Sequence, residues 1–247
     1  MKTIFFILIA IIFLSSYLMA KDLVLYLSFD RDPGKQAKDL SKFGNDAEFN
    51  VEPKRIEGPL GNDAIQLDGI TWGQVASSNS LNLTKSLTIE AWVLPFEDEK
   101  RIIVEKGPTW KVDGEYALLW YDGRRPVIQA YDLPNDCDDE VVGDEIPKNE
   151  WTFLAGTWDG TKFRLYINGK LNTEMDCPGT LLKSNTPLFI GTRGGKMRFM
   201  KGGLDEIKIY NYALSGEVIQ RDMHNPQSVK SQMKLSTTWG DIKGGKR

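Results

Sequence analysis

The sequence predicts an all-β protein: an antiparallel two-sheet sandwich of jelly-roll type, with one short helix near its C-terminus. Three observations lead there. Short runs of strand-forming residues recur from end to end, the gaps between them are too small for crossover helices, and turn dipeptides sit where consecutive runs meet.

In chain order the runs are LVLYLSF (23–29), AEFNV (47–51), AIQL (64–67), LTIEAWVL (87–94), RIIVEK (101–106), YALLWY (116–121), PVIQAY (126–131), WTFLAGTW (151–158), KFRLYIN (162–168), KLNTEM (170–175), PLFIGT (187–192) and LDEIKIY (204–210). Most are rich in β-branched and aromatic side chains, which suit a pleated, half-buried surface. Asn168-Gly169 joins two alternating runs, and both positions of such a turn take positive φ. Asp159-Gly160 repeats the device one hairpin earlier. In the last run, alternation places Asp205, Ile207 and Ile209 on one side and Leu204, Glu206, Lys208 and Tyr210 on the other. A carboxylate then leads the inward row, and Glu206 is expected in solvent.

The helix is expected over 214–224. Ser215 can cap its first turn, Glu217 suits its positive end, and Val218, Ile219 and Met223 form an apolar face. Asn225-Pro226 ends it. The polar tail that follows, 226–247, has Trp239 as its one large apolar group.

At the other end, residues 1–20 combine Lys2, an apolar run from Ile4 to Leu14 and a polar, small-residue exit ending at Ala20. This is the layout of a secretory signal peptide cut ahead of Lys21; the alternative, a membrane anchor, asks for a longer apolar core. No fixed-period repeat or low-complexity linker interrupts the rest. The expected organisation is a signal peptide (1–20), one β domain (21–225) and the tail (226–247). A secreted, extracellular or periplasmic monomer follows, with no membrane span once the signal is removed.

The 31 basic and 34 acidic residues become 30 and 34 without Lys2, a net charge of −4. That balance argues against nucleic acid as a partner. One histidine, His224, leaves no His-based zinc site and restricts any Ser-His-Asp triad to that residue. The only cysteines, Cys137 and Cys177, both lie in the exported part and are expected to pair. Closing that loop stabilises by roughly 4 kcal/mol on the chain-entropy view.

Five segments in order, LVLYLSFD (23–30), DLSKFGNDAEF (39–49), LTIEAWVLP (87–95), WTFLAGTWDGTKFRLYINGKL (151–171) and GLDEIKIYNYALSGEVI (203–219), resemble the laminin-G-like family of concanavalin A-like jelly rolls. The resemblance implies a module that binds carbohydrates or extracellular proteins, commonly with a structural or ligand-bridging Ca²⁺. The same architecture also serves glycoside hydrolases. In the family's early loop Asp39, Ser41, Gly44 and Asn45 match, but Lys42 stands where a glycine is usual.

The resemblance makes the first and last strands neighbours and so brings Asp30 towards Asp205. With an oxygen from the Gly44-Asn45 loop, these residues supply the hard donors that calcium takes, and they would repel one another without a cation. Asp30, Asn45 and Asp205 are therefore the expected metal ligands; the alternative is that Asp205 bonds loop amides. The acidic run Asn135 to Glu140 is a second candidate cation site, although charge runs in loops are usually solvated.

The hydrolase motif of this fold, Glu-x-Asp-x-x-Glu or its one-residue variant, is absent, and Glu97, Asp98 and Glu99 come near it in composition only. No enzyme activity is expected. Trp92, Trp151 and Phe153 read as core, whereas Trp72, Trp110, Trp120, Tyr121 and Tyr131 lie nearer loops or strand ends, where a ring could stack on a sugar. Trp110, after Gly107-Pro108, and Arg193, in the Gly-rich turn GTRGGK, form the expected ligand-binding pair. The expected partner is a glycan or an extracellular protein.

Overall fold

A computed structural model of the chain describes residues 21–224, apart from 31, 33, 132, 134–136, 138 and 139. The expected signal peptide, the tail with Trp239 and most of the acidic run after Asn135 lie outside the described residues.

Two antiparallel sheets form the body. The first runs, edge to edge, β14 (Lys170–Asp176), β13 (Lys162–Ile167), β12 (Thr152–Trp158), β7 (Leu87–Pro95), β16 (Lys201–Tyr210), β5 (Asp63–Asp68) and β4 (Lys54–Glu57), with β1 (Leu23–Leu27) also paired to β16. The second runs β11 (Glu140–Val142), β10 (Arg125–Ala130), β9 (Tyr116–Tyr121), β8 (Arg101–Lys106), β15 (Leu188–Ile190), β6 (Gly73–Val75), β3 (Ala47–Phe49) and β2 (Gln36–Ala37). All twelve expected runs are strands. The strands without an expected counterpart, β2, β4, β6 and β11, are two to four residues long.

Inward-facing side chains of both sheets make the main core: Leu27, Ile65, Ile89, Leu154 and Ile209 from the first sheet meet Val75, Ile103, Leu118, Trp120 and Ile128 from the second. At ~25 cal/mol per Å² of apolar surface, their burial is the dominant favourable contribution to folding. The hairpin from β13 to β14 turns at Asn168 (φ 49°) and Gly169 (φ 73°), as that dipeptide requires. Cys137 and Cys177 form a disulfide, Cα atoms 5.5 Å apart, which ties residue 137 to the end of β14. Among the described residues no helix is long and apolar enough to cross a membrane.

The one α-helix among the described residues, α1 (Gly216–His224), lies over the outward face of the first sheet. Its Ile219 and Met223 join Leu23, Tyr26, Phe153, Tyr166 and Tyr210 in a second apolar layer. Val218 N–H bonds the Ser215 carbonyl at 3.0 Å, so Ser215 starts the helix as expected. The second sheet has only a small outward cluster, Ile102, Ala117, Leu119 and Val127.

The expected alternation in β16 is corrected by a bulge. Against β7, Asp205 pairs with Trp92 and Lys208 with Glu90, so three steps on one strand match two on the other. Glu206 absorbs the extra residue at φ 53°. Leu204, not Asp205, therefore enters the core with Ile207 and Ile209. Asp205 turns to the outward side, and Glu206 is not solvated but 1% exposed.

Candidate functional site

The bulge marks a seam. Along one edge of β16, residues 201–204 pair with β5 and residues 207–210 pair with β1, so the end of β1 and the start of β5 meet at Asp205 and Glu206. Asp205 is fully buried. Its Oδ1 accepts the Glu206 N–H at 2.9 Å, while Oδ2 has no hydrogen-bond partner; Asn62 Oδ1 is likewise buried and unpartnered. A Cβ built on Gly58 would fall 2.7 Å from Asp205 Oδ2 and 2.6 Å from Asn62 Oδ1, so two oxygens converge on one small space. Buried oxygens without partners cost free energy, and their convergence is the arrangement that a cation relieves.

The electrostatics agree. Burial first, then the charges of Glu206 and Asp30, push the Asp205 carboxyl up to about 8. Burial also raises Glu206, whose Oε2 accepts the Tyr26 hydroxyl at 2.8 Å and lies 3.7 Å from Lys208 Nζ. Asp30 accepts the Asp63 N–H at 3.3 Å, which places it at the same seam. Asn45 belongs to a different network: its Nδ2 donates to the Val24 carbonyl (2.7 Å) and to Ser80 Oγ (2.9 Å). Its loop is organised by Asp39, which accepts bonds from Tyr26, Ser41 and Asn45. Among the described residues no three Asp, Glu, His or Cys side chains are grouped to hold a metal, so a cation at the seam would depend on amide and carbonyl oxygens as well. The donor set fits one in kind: Asp30 and Asp205 as carboxylates, Asn62 as amide. Sequence reasoning missed Asn62; its only signal is the turn-rich stretch GPLGND (58–63).

On the outward face of the second sheet lies a cleft of about 680 Å³. Trp110 and Arg193 both line it. They meet because Gly194 (φ 64°) packs the 193–197 turn onto Pro108, whose carbonyl a Cβ there would strike, and Pro108 leads into the loop bearing Trp110. Trp110 is 55% exposed, with Lys111 Nζ 4.6 Å from its ring centroid. Tyr121 and Tyr131 line the same cleft, and Lys100 Nζ lies 3.9 Å from the Tyr121 ring centroid.

Two buried carboxylates hold the polar floor from behind. Glu105 accepts Arg193 Nε at 2.8 Å and Nη2 at 2.5 Å. Glu115 accepts Gln129 Nε2 and the Lys111 N–H, each at 2.6 Å. Burial, then the neighbouring charge of Glu105, pushes Glu115 up to about 7. Gln129 is 3% exposed, and its Oε1 has no partner. Among the described residues Arg193 Nη1 is left as a donor without a partner, its guanidinium held through Nε and Nη2 by Glu105, whereas the unpartnered Gln129 Oε1 is closed to solvent. Neither Gln129 nor the two glutamates were expected from sequence, where they read as ordinary members of apolar strands or their flanks.

The remaining aromatic expectations divide. Trp120 is fully buried in the main core, donating Nε1 to the Glu99 carbonyl at 2.9 Å, which excludes it from any ligand face. Trp72 packs against Phe189, ring centroids 6.0 Å apart. Trp92 and Phe153 sit edge to face beneath the helix-covered layer, rather than between the sheets.

Domain 4 of AbnA, an extracellular arabinanase from Geobacillus stearothermophilus solved in complex with arabinotriose, superposes with a TM-score of 0.64 at 19% identity, covering 83% of this chain and 98% of that one. The binding domain of Paraclostridial Mosquitocidal Protein 1 gives 0.62 at 18% identity over 82% of this chain and 52% of its own length. The binding domain of botulinum neurotoxin serotype G gives 0.63 at 17% over 84% and 52%. The chain thus spans about half the length of these toxin domains, and at such identities the likeness is one of fold. No curated protein sequence matches. A family profile matches residues 68–220, most of the β domain including both β7 and β16. The chain belongs to the laminin-G-type family of the concanavalin A-like lectin/glucanase superfamily.

Proposed function

We propose that the chain is a secreted, non-catalytic binding module that holds a glycan in the cleft on the outward face of its second sheet. The observation that carries this is a pair in one cleft: Arg193, whose Nη1 makes no hydrogen bond among the described residues, and the exposed ring of Trp110. A sugar supplies both complements, hydroxyls that accept from the guanidinium and an apolar face for the ring. Domain 4 of the arabinanase, solved with arabinotriose, supports the same reading by analogy of fold. The Cys137–Cys177 disulfide fits an oxidising compartment.

A glycoside hydrolase on this fold is disfavoured, because Glu105 and Glu115 are fully buried behind Arg193 and Gln129, and Glu140, which lines the cleft and accepts the Tyr121 hydroxyl, has no second carboxylate beside it among the described lining residues. A carboxyl that cannot reach the scissile bond can neither protonate nor attack it. We further propose a structural Ca²⁺ at the seam, held by Asp30, Asn62 and Asp205, neutralising the Asp205 carboxylate, whose burial otherwise favours its protonated form.

Screening a glycan array, and repeating the hits with Trp110→Ala, tests the binding reading. Binding lost with the ring supports it; binding only to a protein partner, or cleavage of a polysaccharide, overturns it. For the seam, melting with EGTA and with added Ca²⁺ is decisive, since a ligand bound only by the native state must raise the midpoint. No shift means that Asn62 and Asp205 satisfy each other through a turned amide rather than through a cation.

A further inference from the structure

One ladder row crosses the second sheet on its outward face. Strand pairing sets Gln74 beside Glu48 on one flank and beside Phe189 on the other, then Phe189 beside Glu105; two strands further on the row reaches Gln129. The middle of this row is closed: Trp72 packs on Phe189, and Arg193 binds Glu105. Both coverings meet the 193–197 turn. A Cβ on Gly194 would strike the carbonyl of Pro108, which leads into the loop bearing Trp110, and one on Gly195 would fall 2.9 Å from the Trp72 ring. The turn thus stands between the Trp110 cleft and a second hollow, of about 370 Å³, whose lining includes Glu48, Asn50, Trp72 and Gln74. Asn50 pins Trp72 there through the backbone: Asn50 Oδ1 accepts the Trp72 N–H at 2.8 Å, and the Trp72 carbonyl accepts the Asn50 N–H at 3.0 Å. Glu48 is exposed and Gln74 half-buried, and neither side chain hydrogen-bonds a described residue.

We propose that this hollow is a second sugar-binding position, and that the ligand of the face is an oligosaccharide long enough to fill it and the Trp110 cleft together. The inference rests on the reading of the cleft as a glycan site and adds to it the ligand's length and its direction, across the strands rather than along them. Three features select it. Trp72 is already held by Asn50 and Phe189, so stacking a sugar on it costs little further ordering. Glu48 accepts hydroxyl protons while Gln74 both donates and accepts, which suits the adjacent hydroxyls of one sugar ring. At ~4.8 Å per strand, the four steps from Gln74 on β6 to Gln129 on β10 span ~19 Å, more than one sugar ring covers. A chain that crosses the turn at Gly194-Gly195 meets backbone alone, because neither residue carries a side chain.

The test is a titration of the full chain with ladders of arabino-, xylo- and gluco-oligosaccharides, each running from a single sugar to a hexamer. In at least one ladder, affinity is expected to step up about tenfold once the oligomer is long enough to bridge both positions, and then to level off. Trp72→Ala should abolish that step. Glu48→Ala, at an exposed position outside the packing, should cut the long-to-short affinity ratio severalfold, and it carries the test if loss of the Trp72–Phe189 contact unfolds the first variant. Lys54→Gln on β4 of the first sheet should leave the ratio unchanged. Equal affinity from the shortest member of a ladder to the longest, or a step that Glu48→Ala leaves intact, overturns the second position while leaving glycan binding in place. Binding of no ladder overturns both readings.

Discussion

The outward faces of the two sheets carry the same kinds of residue and do opposite things with them. On the first sheet, α1 and the segment leading into it roof the face: Tyr26, Phe153, Tyr166 and Tyr210 are buried under Leu214, Ile219 and Met223. Sealed among them, Glu90 is fully buried with neither carboxyl oxygen partnered, beside Lys208, whose ammonium also lacks a hydrogen bond. On the second sheet no helix among the described residues covers the face. There the buried acids Glu105 and Glu115 each hold a side chain that lines an open cleft. An unpartnered polar atom under a roof contributes only strain and a protonation preference, whereas one facing a cleft is an offer to a ligand. The roof gives the first face to stability, and the open cleft leaves the second for the recognition we propose.

Breaking the roof should cost the most. Ile219→Ala removes a fully buried side chain from the helix-sheet contact and is expected to destabilise by about 2–4 kcal/mol in chemical unfolding, with ligand affinity of the folded fraction unchanged. Close behind comes the disulfide: Cys137→Ala with Cys177→Ala should lower stability by ~2–4 kcal/mol, read the same way. Trp110→Ala should do the reverse of the roof variant. It should lower glycan affinity about tenfold, a loss of ~1.4 kcal/mol, while the midpoint of thermal unfolding stays put, because the ring is largely in solvent.

A last effect, read as a slope rather than a single loss, sharpens the contrast through pH. Burial, opposed by the charge of Lys208, pushes Glu90 from its ordinary 4.5 up to about 8. Between those values the folded chain keeps a proton that the unfolded chain has released, so this residue makes stability fall as pH rises from about 4.5 to about 8. Glu90→Gln should remove that share of the slope, at most ~1.4 kcal/mol per pH unit, leaving ligand binding unaffected.

Much of this division was legible in the sequence, and the reasons are specific. Each long strand announces itself by runs of Val, Ile, Leu and aromatic residues, and Asn168-Gly169 fixes a hairpin because few other pairs accept both positive φ values. The missed strands are the short or polar ones: KRIE in β4 at one sheet edge, and QA, GQV and EVV. Trp110 and Arg193 stood out because a large ring and a cation in Gly-rich loops have no core to serve, and the structure brings both to one cleft. Gln129 and Glu115 did not, because a polar residue in or beside a strand reads as solvent-facing until the tertiary fold shows what covers it.

The bulge at Glu206 was hidden for a different reason. Strict alternation has no place for an extra residue, and the position carries no glycine to betray its positive φ. That one residue moved Asp205 from the core row to the outward side, where its Oδ2 converges with Asn62 Oδ1. Pairing across β16 is a long-range property that no local pattern in 203–214 could report.

The most direct measurement is residue-resolved hydrogen exchange of the full chain with and without a bound oligosaccharide. Recognition by the open face predicts slower exchange around Trp110, Gln129, Tyr131 and Arg193, with α1 and the roofed residues Tyr166 and Ile219 unchanged. Protection confined to α1, or to the seam loop 58–62, with none in the cleft, would contradict it.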